Sequence, residues 1–458
     1  MEDLAAARVV VAGARVTGSA VARALVEQGA QVTVTDSSPD LLAALEGGGI
    51  SVATGLTAPP EGTDLVVTSP GWRPDAPLLT AAAAAGIDVV GDVELAWWLD
   101  RRRPGGPACW LVVTGTNGKT TTVGMLEAVL RAAGIDAVAC GNVGLAVVEA
   151  VRAGHAVLAV ELSSFQLHWS RSLAPRAAAV LNVSADHLDW HGSMAAYAAA
   201  KGIAYAAAGT AVCNADDAGS VALAGDHPDR VDVTLGPPGP GMLGIADGNL
   251  VDRAFGPGTG GEVLAGVGDV GPPGPHNLAN ALVATALARC AGVGAAAVEA
   301  GLRSFVPGGH RGVTVSEFRG VRYVDDSKAT NPHAARAALL AHPRVVWVAG
   351  GLLKGADVDE LVAATADRIT GAVLLGADRA VIAGALARHA PDLPVRVVDS
   401  GDDGAMTDVV AAAAGLARPG DVVLLAPAAA SMDMFSDYAH RGRAFAAAAQ
   451  ALAGERAG

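Results

Sequence analysis

"VVTGTNGKTTTVGML", Val112 to Leu126, is the stretch on which the reading of the fold turns. An apolar, β-branched run stops at Gly115, a short glycine turn follows, and Lys119 opens a segment of helical pattern. Strand, turn and helix in that order aim successive backbone N–H groups and a helix N-terminus at one point, which suits phosphate oxygens. Gly115, Thr116, Asn117, Gly118, Lys119, Thr120 and Thr121 are therefore candidate nucleotide-binding residues. Lys119 would neutralise the β- and γ-phosphates, and the Thr120 hydroxyl falls where such loops reach magnesium. The loop is two residues shorter between its glycines than G-x-x-x-x-G-K-[ST], and a glycine turn beside a surface lysine is the plain alternative.

The same alternation fills the chain on either side of this stretch. From Met1 to about Asp100, "RVVVAG", "QVTVTD" and "DLVVTSPG" alternate with Ala-rich stretches such as "SAVARALVEQ", the pattern of a parallel sheet wound with helices. "RRRPGGP", Arg101 to Pro107, is a linker by composition. A second series begins at "CWLVVTG" and ends in a Gly/Pro-rich region of short strands near Val231 to Gly274. After a hairpin pattern, "VTVSEFRGVRYVDD", a third winding runs through "RVVWVAGG", "GAVLLG", "VRVVDS" and "DVVLLAP". The expectation is an α/β protein of three domains, 1–103, 104–307 and 308–458, the middle one with a small β insertion.

At 458 residues, 51% of them apolar, the chain can form several cores, and no stretch offers about 20 strongly apolar residues for a membrane span. "MEDLAAARVV" lacks the basic start of a signal peptide, so a cytoplasmic protein is expected. A net charge of −14 argues against a nucleic-acid surface, and any anionic ligand must be held by a few local donors. Cys109, Cys140, Cys213 and Cys290 show no metal spacing and read as buried thiols.

Further polar clusters follow apolar strands, where open α/β sheets bind ligands. In "VVVAGARVTGSA", Arg15 replaces the middle glycine of a dinucleotide fingerprint, which disfavours NAD. Asp36 ends the second strand where an acid can meet a ribose. Another nucleotide and a purely structural turn both fit these residues. "ELSSFQL" places Glu161, and "NVSADHLDWH" places Asp186 and His187, where a carboxylate and an imidazole suit magnesium beside a phosphate loop. Lys201, in the Ala-rich "AAYAAAKGIAY", reads by pattern alone as a solvated surface lysine. "VDDSKATNP", "GGLLKGAD" and "PAAASMDMF" supply hydroxyls and cations, and Lys328, Lys354 and Arg311 are local positive charges for an anionic ligand.

Taken in order, "GTNGKTT", "GNVG", "ELSSFQL", "LNVSADHLDWH", "AAAKGIAY", "NADD", "GPHNLANALVA", "HR", "DDSKATNP", "GGLLKGAD" and "SMDMF" resemble the Mur ligases of peptidoglycan synthesis, in particular the branch that adds D-glutamate. The resemblance spans nearly the whole chain. It implies a Rossmann-like UDP-binding domain, a central ATPase-type domain and a Rossmann-like domain that brings the amino acid, so two glycine turns would serve two nucleotides. It implies substrates UDP-N-acetylmuramoyl-L-alanine, D-glutamate and ATP, an acyl-phosphate intermediate, two Mg2+ ions and a monomer. Residue by residue, it implies Lys119, His187, Lys201 and Lys328 in catalysis, with Asn277, Arg311 and Asp326 also on ATP. Metal ligands would be Thr120, Glu161, His187 and Lys201, the last as its carbamate. Val16, Thr17, Asp36, Ser69, Pro70, Gly71, Asn142, Ser163 and Gln166 would meet the UDP-sugar substrate, and Thr330, Lys354 and Ser431 the D-glutamate.

Arg15, the absence of a basic residue after Asp36, and Tyr438 where some relatives carry Phe depart from the pattern. A diaminopimelate-adding ligase would show a D-N-P-R-like motif, which is missing. Folylpolyglutamate synthetase would lack the Rossmann-like first domain, and a degenerate binding protein would have lost Lys119, Glu161, His187 or Lys201.

Overall fold

Val-rich runs buried on both faces become parallel strands because helices cover each side. The computed structural model describes residues 4–255, 261–399 and 404–455. Strands β1 (Arg8–Ala12), β2 (Gln31–Asp36), β3 (Ile50–Thr54), β4 (Leu65–Thr68) and β5 (Asp88–Gly91) form a parallel sheet in the order β3-β2-β1-β4-β5. The order reverses between β1 and β4, so the turn after β1 and the "SPG" turn after β4 meet at one crevice. Gly13 there has φ +107°, and a Cβ on it would lie 2.6 Å from Ser69 Oγ.

The second sheet has nine strands: β6 (Cys109–Thr114), β7 (Ala137–Gly141), β8 (Val157–Glu161), β9 (Ala177–Val180), β10 (Thr210–Asn214), β11 (Arg230–Val233), β12 (Met242–Ala246), β13 (Asn249–Asp252) and β14 (Glu262–Gly266). Their order is β14-β13-β12-β11-β10-β9-β6-β8-β7, with β12 to β14 antiparallel. The expected β insertion is thus an extension of the main sheet. The third sheet holds β15 (Val313–Phe318), β16 (Val321–Asp325), β17 (Val345–Gly350), β18 (Ile369–Leu375), β19 (Val395–Val397) and β20 (Val422–Leu425), in the order β15-β16-β20-β17-β18-β19. Only the β15–β16 hairpin in it is antiparallel, as its sequence predicts.

By contacts the chain forms two units, Met1–Asp269 with Ala279–Phe305, and Val270–Leu278 with Val306–Gly458. In the first unit one apolar core continues from Val9 and Leu25 through Trp97 and Trp110 to Val160 and Val180, beside a smaller cluster around Val10, Val66 and Leu78. Trp97 and Trp110 meet edge to face, 5.2 Å between centroids. The "RRRPGGP" stretch is accordingly a tied corner. Arg103 donates to Gly106 O and His155 O, and buried Asp100 accepts from Ala108 N and Trp110 Nε1. Composition marked the irregular backbone there, but whether its flanking side chains are buried depends on distant partners.

Among the described residues no helix is long and apolar enough to cross a membrane. The four cysteines are free thiols, three of them buried, and burial pushes the Cys140 thiol up to about 12.

Candidate active site

The phosphate loop is built as its sequence predicts. β6, central in its sheet, ends at Thr114, and the helix Lys119–Ala132 starts after Gly118 at φ +85°. Both loop glycines are required: a Cβ on Gly115 would lie 2.9 Å from Leu181 Cβ, and one on Gly118 would lie 2.5 Å from Asn280 Oδ1. Asn182, two residues past the end of β9, fastens the loop. Its Oδ1 accepts from Asn117 N at 2.9 Å, its Nδ2 donates to Asn117 O at 3.1 Å, and its carbonyl accepts from Thr116 N at 3.0 Å. The Thr116 hydroxyl bonds Ser184 O and the Tyr197 hydroxyl. Thr120 and Thr121 lie on the first helical turn.

Two lysines converge on one carbonyl. Lys119 Nζ donates to Gly115 O at 2.8 Å and to Thr116 O at 2.9 Å, while Lys201 Nζ donates to the same Gly115 O at 2.8 Å. Lys201 is only 1% exposed and its Nζ lies 4.5 Å from the Tyr197 ring centroid, which overturns the pattern's surface reading. An Ala-rich helix has no apolar stripe to reveal which face is buried. Burial first, then the neighbouring Lys119 charge, holds the Lys201 amine well below the ordinary lysine range, with Asp186 opposing. Burial also lowers Lys119, against the attraction of Glu161 and Asp186.

Glu161 ends β8 and is 2% exposed. Its Oε1 accepts from Asn142 Nδ2 at 2.9 Å, and its Oε2 is buried without a hydrogen-bond partner. An orphaned carboxylate oxygen near a phosphate loop fits a hard cation. His187 adopts φ +53°, with its ring edge-on to Phe165 at 4.8 Å between centroids. Burial lowers its pKa, Lys119 and Lys201 add to the lowering and Asp186 opposes, a balance that favours the neutral imidazole. Among the described residues no group of three His, Cys, Asp or Glu side chains stands ready to hold a metal.

Ser163 and Gln166 form a capping box on the helix Ser164–His168, and Gln166 Nε2 donates to buried Asp92 Oδ2 at 3.2 Å. The Ser163 hydroxyl and the Gln166 carbonyl oxygen thus fix the start of that helix. At the first glycine turn, Val16 is 74% exposed, whereas the Ser69 hydroxyl is buried without a partner. Thr17 is partly buried, and Pro70 and Gly71 continue the turn that the Trp72 N–H closes on Ser69 O. Asp36 accepts from Ala14 N at 2.9 Å and from Ser38 N at 3.1 Å. Burial opposes its ionisation, but these N–H groups, Ser37 N–H and Arg15 hold its carboxyl below the usual range.

The second unit carries the remaining candidates. Asp326 is pushed up to about 7 by burial and by Asp325, with Gly312 N–H and Arg311 opposing. Arg311 Nη2 is buried without a hydrogen-bond partner, and Asn277 Nδ2 donates to Pro272 O at 3.0 Å. Lys328 Nζ stands 3.9 Å from the Tyr438 ring centroid. Lys354 is exposed in a left-handed conformation, φ +53°, Thr330 N donates to Lys328 O, and Ser431 is buried. Asn182, Tyr197, Asn280 and His310 were not singled out by sequence reasoning. His310, at φ +65° with Nδ1 2.6 Å from Asp325 Oδ2, sits beside the flagged Arg311, and "HR" was its only signal.

Comparison with known proteins agrees with this architecture. The Mur ligase MurD-like N-terminal domain matches residues 7–91, the Mur ligase middle domain 113–238 and the Mur ligase glutamate ligase domain 310–429. UDP-N-acetylmuramoylalanine–D-glutamate ligase of Thermobifida fusca (strain YX) is 55% identical over 468 residues, covering 99% of this chain and 100% of its own. The Streptomyces coelicolor protein of the same name is 54% identical over 460 residues, covering 97% and 98%. That of Mycobacterium bovis is 50% identical over 480 residues, covering 97% and 96%. Among solved structures, UDP-N-acetylmuramate-alanine ligase MurC from Thermotoga maritima shares the fold at TM-score 0.59 and 19% identity, covering 97% of this chain and 99% of its own. With three Mur ligase domains in order and relatives at least half identical along nearly its whole length, this chain belongs to the Mur ligase family, on its MurD-like branch.

Proposed function

We propose that the chain joins D-glutamate to UDP-N-acetylmuramoyl-L-alanine with ATP, as an ADP-forming amide ligase of cytoplasmic peptidoglycan precursor synthesis, and works as a monomer. The observation that carries this reading is the convergence of Lys119 and Lys201 on Gly115 O, with the unpartnered Glu161 oxygen within electrostatic reach of Lys119.

A carboxylate is a poor electrophile, so the L-alanyl carboxylate attacks the γ-phosphorus of ATP, the bond to the β-phosphate oxygen breaks, and ADP leaves an acyl phosphate. The amine of D-glutamate then adds to the acyl carbon, loses a proton and expels phosphate. The chain contributes position and charge. The N–H groups of residues 115–121 and Lys119 hold the phosphates, while Asn277, Arg311 and Asp326 take the rest of the nucleotide. The Lys201 amine, in the neutral form that burial favours, can attack carbon dioxide, forming an N–C bond and releasing one proton, which turns a buried amine into a carbamate. Two Mg2+ ions, when bound by Thr120, Glu161, His187 and that carbamate, would supply neutralisation of phosphate charge.

Residues 1–103 bind UDP through Val16, Thr17, Ser69, Pro70 and Gly71, with Asp36 shaping the turn. Residues 104–307 bind ATP, with Asn142, Ser163 and Gln166 toward the muramoyl group. Residues 308–458 bind D-glutamate through Thr330, Lys354 and Ser431, with Lys328 toward the transferred phosphate. The test is ATP-dependent phosphate release with a panel of UDP-muramoyl acceptors and amino acids. Turnover only with UDP-N-acetylmuramoyl-L-alanine plus D-glutamate is expected; equal use of L-glutamate or diaminopimelate refutes the assignment.

A further inference from the structure

The helix Tyr438–Glu455 places Arg441 in the interior of the second unit, 1% exposed. Its Nε donates to Ser327 Oγ at 3.0 Å, its Nη2 to Ser327 O at 2.9 Å, and its Nη1 to Ala429 O at 3.1 Å and Gly350 O at 3.4 Å. All four acceptors are neutral. Burying a guanidinium against neutral groups is costly, and burial pushes its pKa down to about 10, with Asp433 and Asp325 opposing.

The acceptors come from the ends of three strands. Ser327 follows β16 and leads to Lys328 and Thr330, Gly350 ends β17 and leads to Lys354, and Ala429 follows β20 and leads to Ser431. These loops are in close contact. A Cβ on Gly351 would lie 2.1 Å from Ala430 O and 3.3 Å from Arg441 Nη1, so no side chain fits between loop and guanidinium. Leu352 and Ala430 exchange both backbone hydrogen bonds at 2.9 Å, and Ala428 N donates to Ala329 O at 2.9 Å. Lys354 and Ala428 hold left-handed backbones, φ +53° and +59°, which persist only where surroundings impose them. A planar fork of five N–H donors suits three loops at once, which a lysine point charge does not.

We propose that Arg441 is a positioning residue that locks the three loops bearing Thr330, Lys354 and Ser431 into one D-glutamate-binding surface. This rests on the site reading given under the proposed function. The experiment is steady-state kinetics of the full-length enzyme with each substrate varied in turn, beside thermal melts. Arg441→Lys keeps the charge and loses the fork. It raises the D-glutamate KM about tenfold, the effect of losing roughly one charge-assisted hydrogen bond, and leaves the KM values for ATP and the UDP-substrate within about twofold. An unchanged D-glutamate KM, or an equal rise for all three substrates, overturns the clamp. If Arg441→Lys fails to fold, Ser327→Ala decides: it deletes the Nε acceptor and raises the D-glutamate KM selectively by about threefold, and no selective rise overturns the proposal. Lys354→Ala in the same series tests the site itself. If it leaves D-glutamate KM unchanged, the site reading fails and the clamp with it; if it raises that KM while Arg441→Lys does not, the clamp alone fails.

Discussion

Asn182→Ala removes one side chain and nothing else from the phosphate loop. The carboxamide accepts from Asn117 N at 2.9 Å and donates to Asn117 O at 3.1 Å, so it fixes the two peptide groups that flank the Asn117 Cα. A neutral hydrogen bond contributes about 0.5–1.5 kcal/mol net, and both groups are only partly buried, so water can partly replace what is lost. The pair is then worth about 1–2 kcal/mol, which ATP must supply to reorder the loop, weakening its binding about five- to thirtyfold. The Thr116 N to Asn182 O bond is backbone and survives, so the melting temperature should move little. Asn182→Asp should be worse than Ala, because a second acceptor would face Asn117 O and a negative charge would stand beside the phosphates. Isothermal titration with a non-hydrolysable ATP analogue measures both variants. Parent-like affinity in Asn182→Ala, or tighter binding by Asn182→Asp than by Asn182→Ala, would mean that the carboxamide does not order the loop for ATP.

Lys201→Ala should lower turnover by about two to three orders of magnitude, the cost of removing one preorganised charge at a reacting centre, while circular dichroism stays native; near-normal turnover without an added carboxylic acid would exclude the carbamate. Lys354→Ala should weaken D-glutamate use about tenfold, the lower end for a charge-assisted hydrogen bond because the residue is exposed, with ATP affinity unchanged by titration. Asp92 is raised to about 6 by burial, with Gln166 opposing, so its stabilising contribution is present below about pH 4 and lost as pH rises through 6. Asp92→Asn should therefore stabilise the fold at pH 8 by at most about 3 kcal/mol and lose that advantage toward pH 4; denaturant melts across this range check it, and a pH-independent difference contradicts it.

The phosphate loop was legible because its parts are contiguous: strand, glycine turn, Lys119 and helix all lie within residues 112–126. The winding of three sheets and the β15–β16 hairpin were legible for the same reason, since apolar runs and turn residues are local signals. Glu161 and His187 were legible from their places after apolar strands, whereas Lys201 came from family resemblance alone, since the bare pattern pointed to the surface.

Local signals are enough to mark which segments become strands and helices and where the glycine turns fall, since sterics and apolar patterning act over a few residues. The fold as a whole sets what no local stretch can: Lys201 is buried against Tyr197, Asn182 grips a loop 65 positions earlier, Arg441 reaches Ser327 across 114 positions, and the Arg101–Pro107 corner is held by Arg103 and by buried Asp100 beside it. Burial and long-range hydrogen bonds depend on which surfaces meet, and an isolated stretch of Ala, Asn or Arg carries no record of its partner.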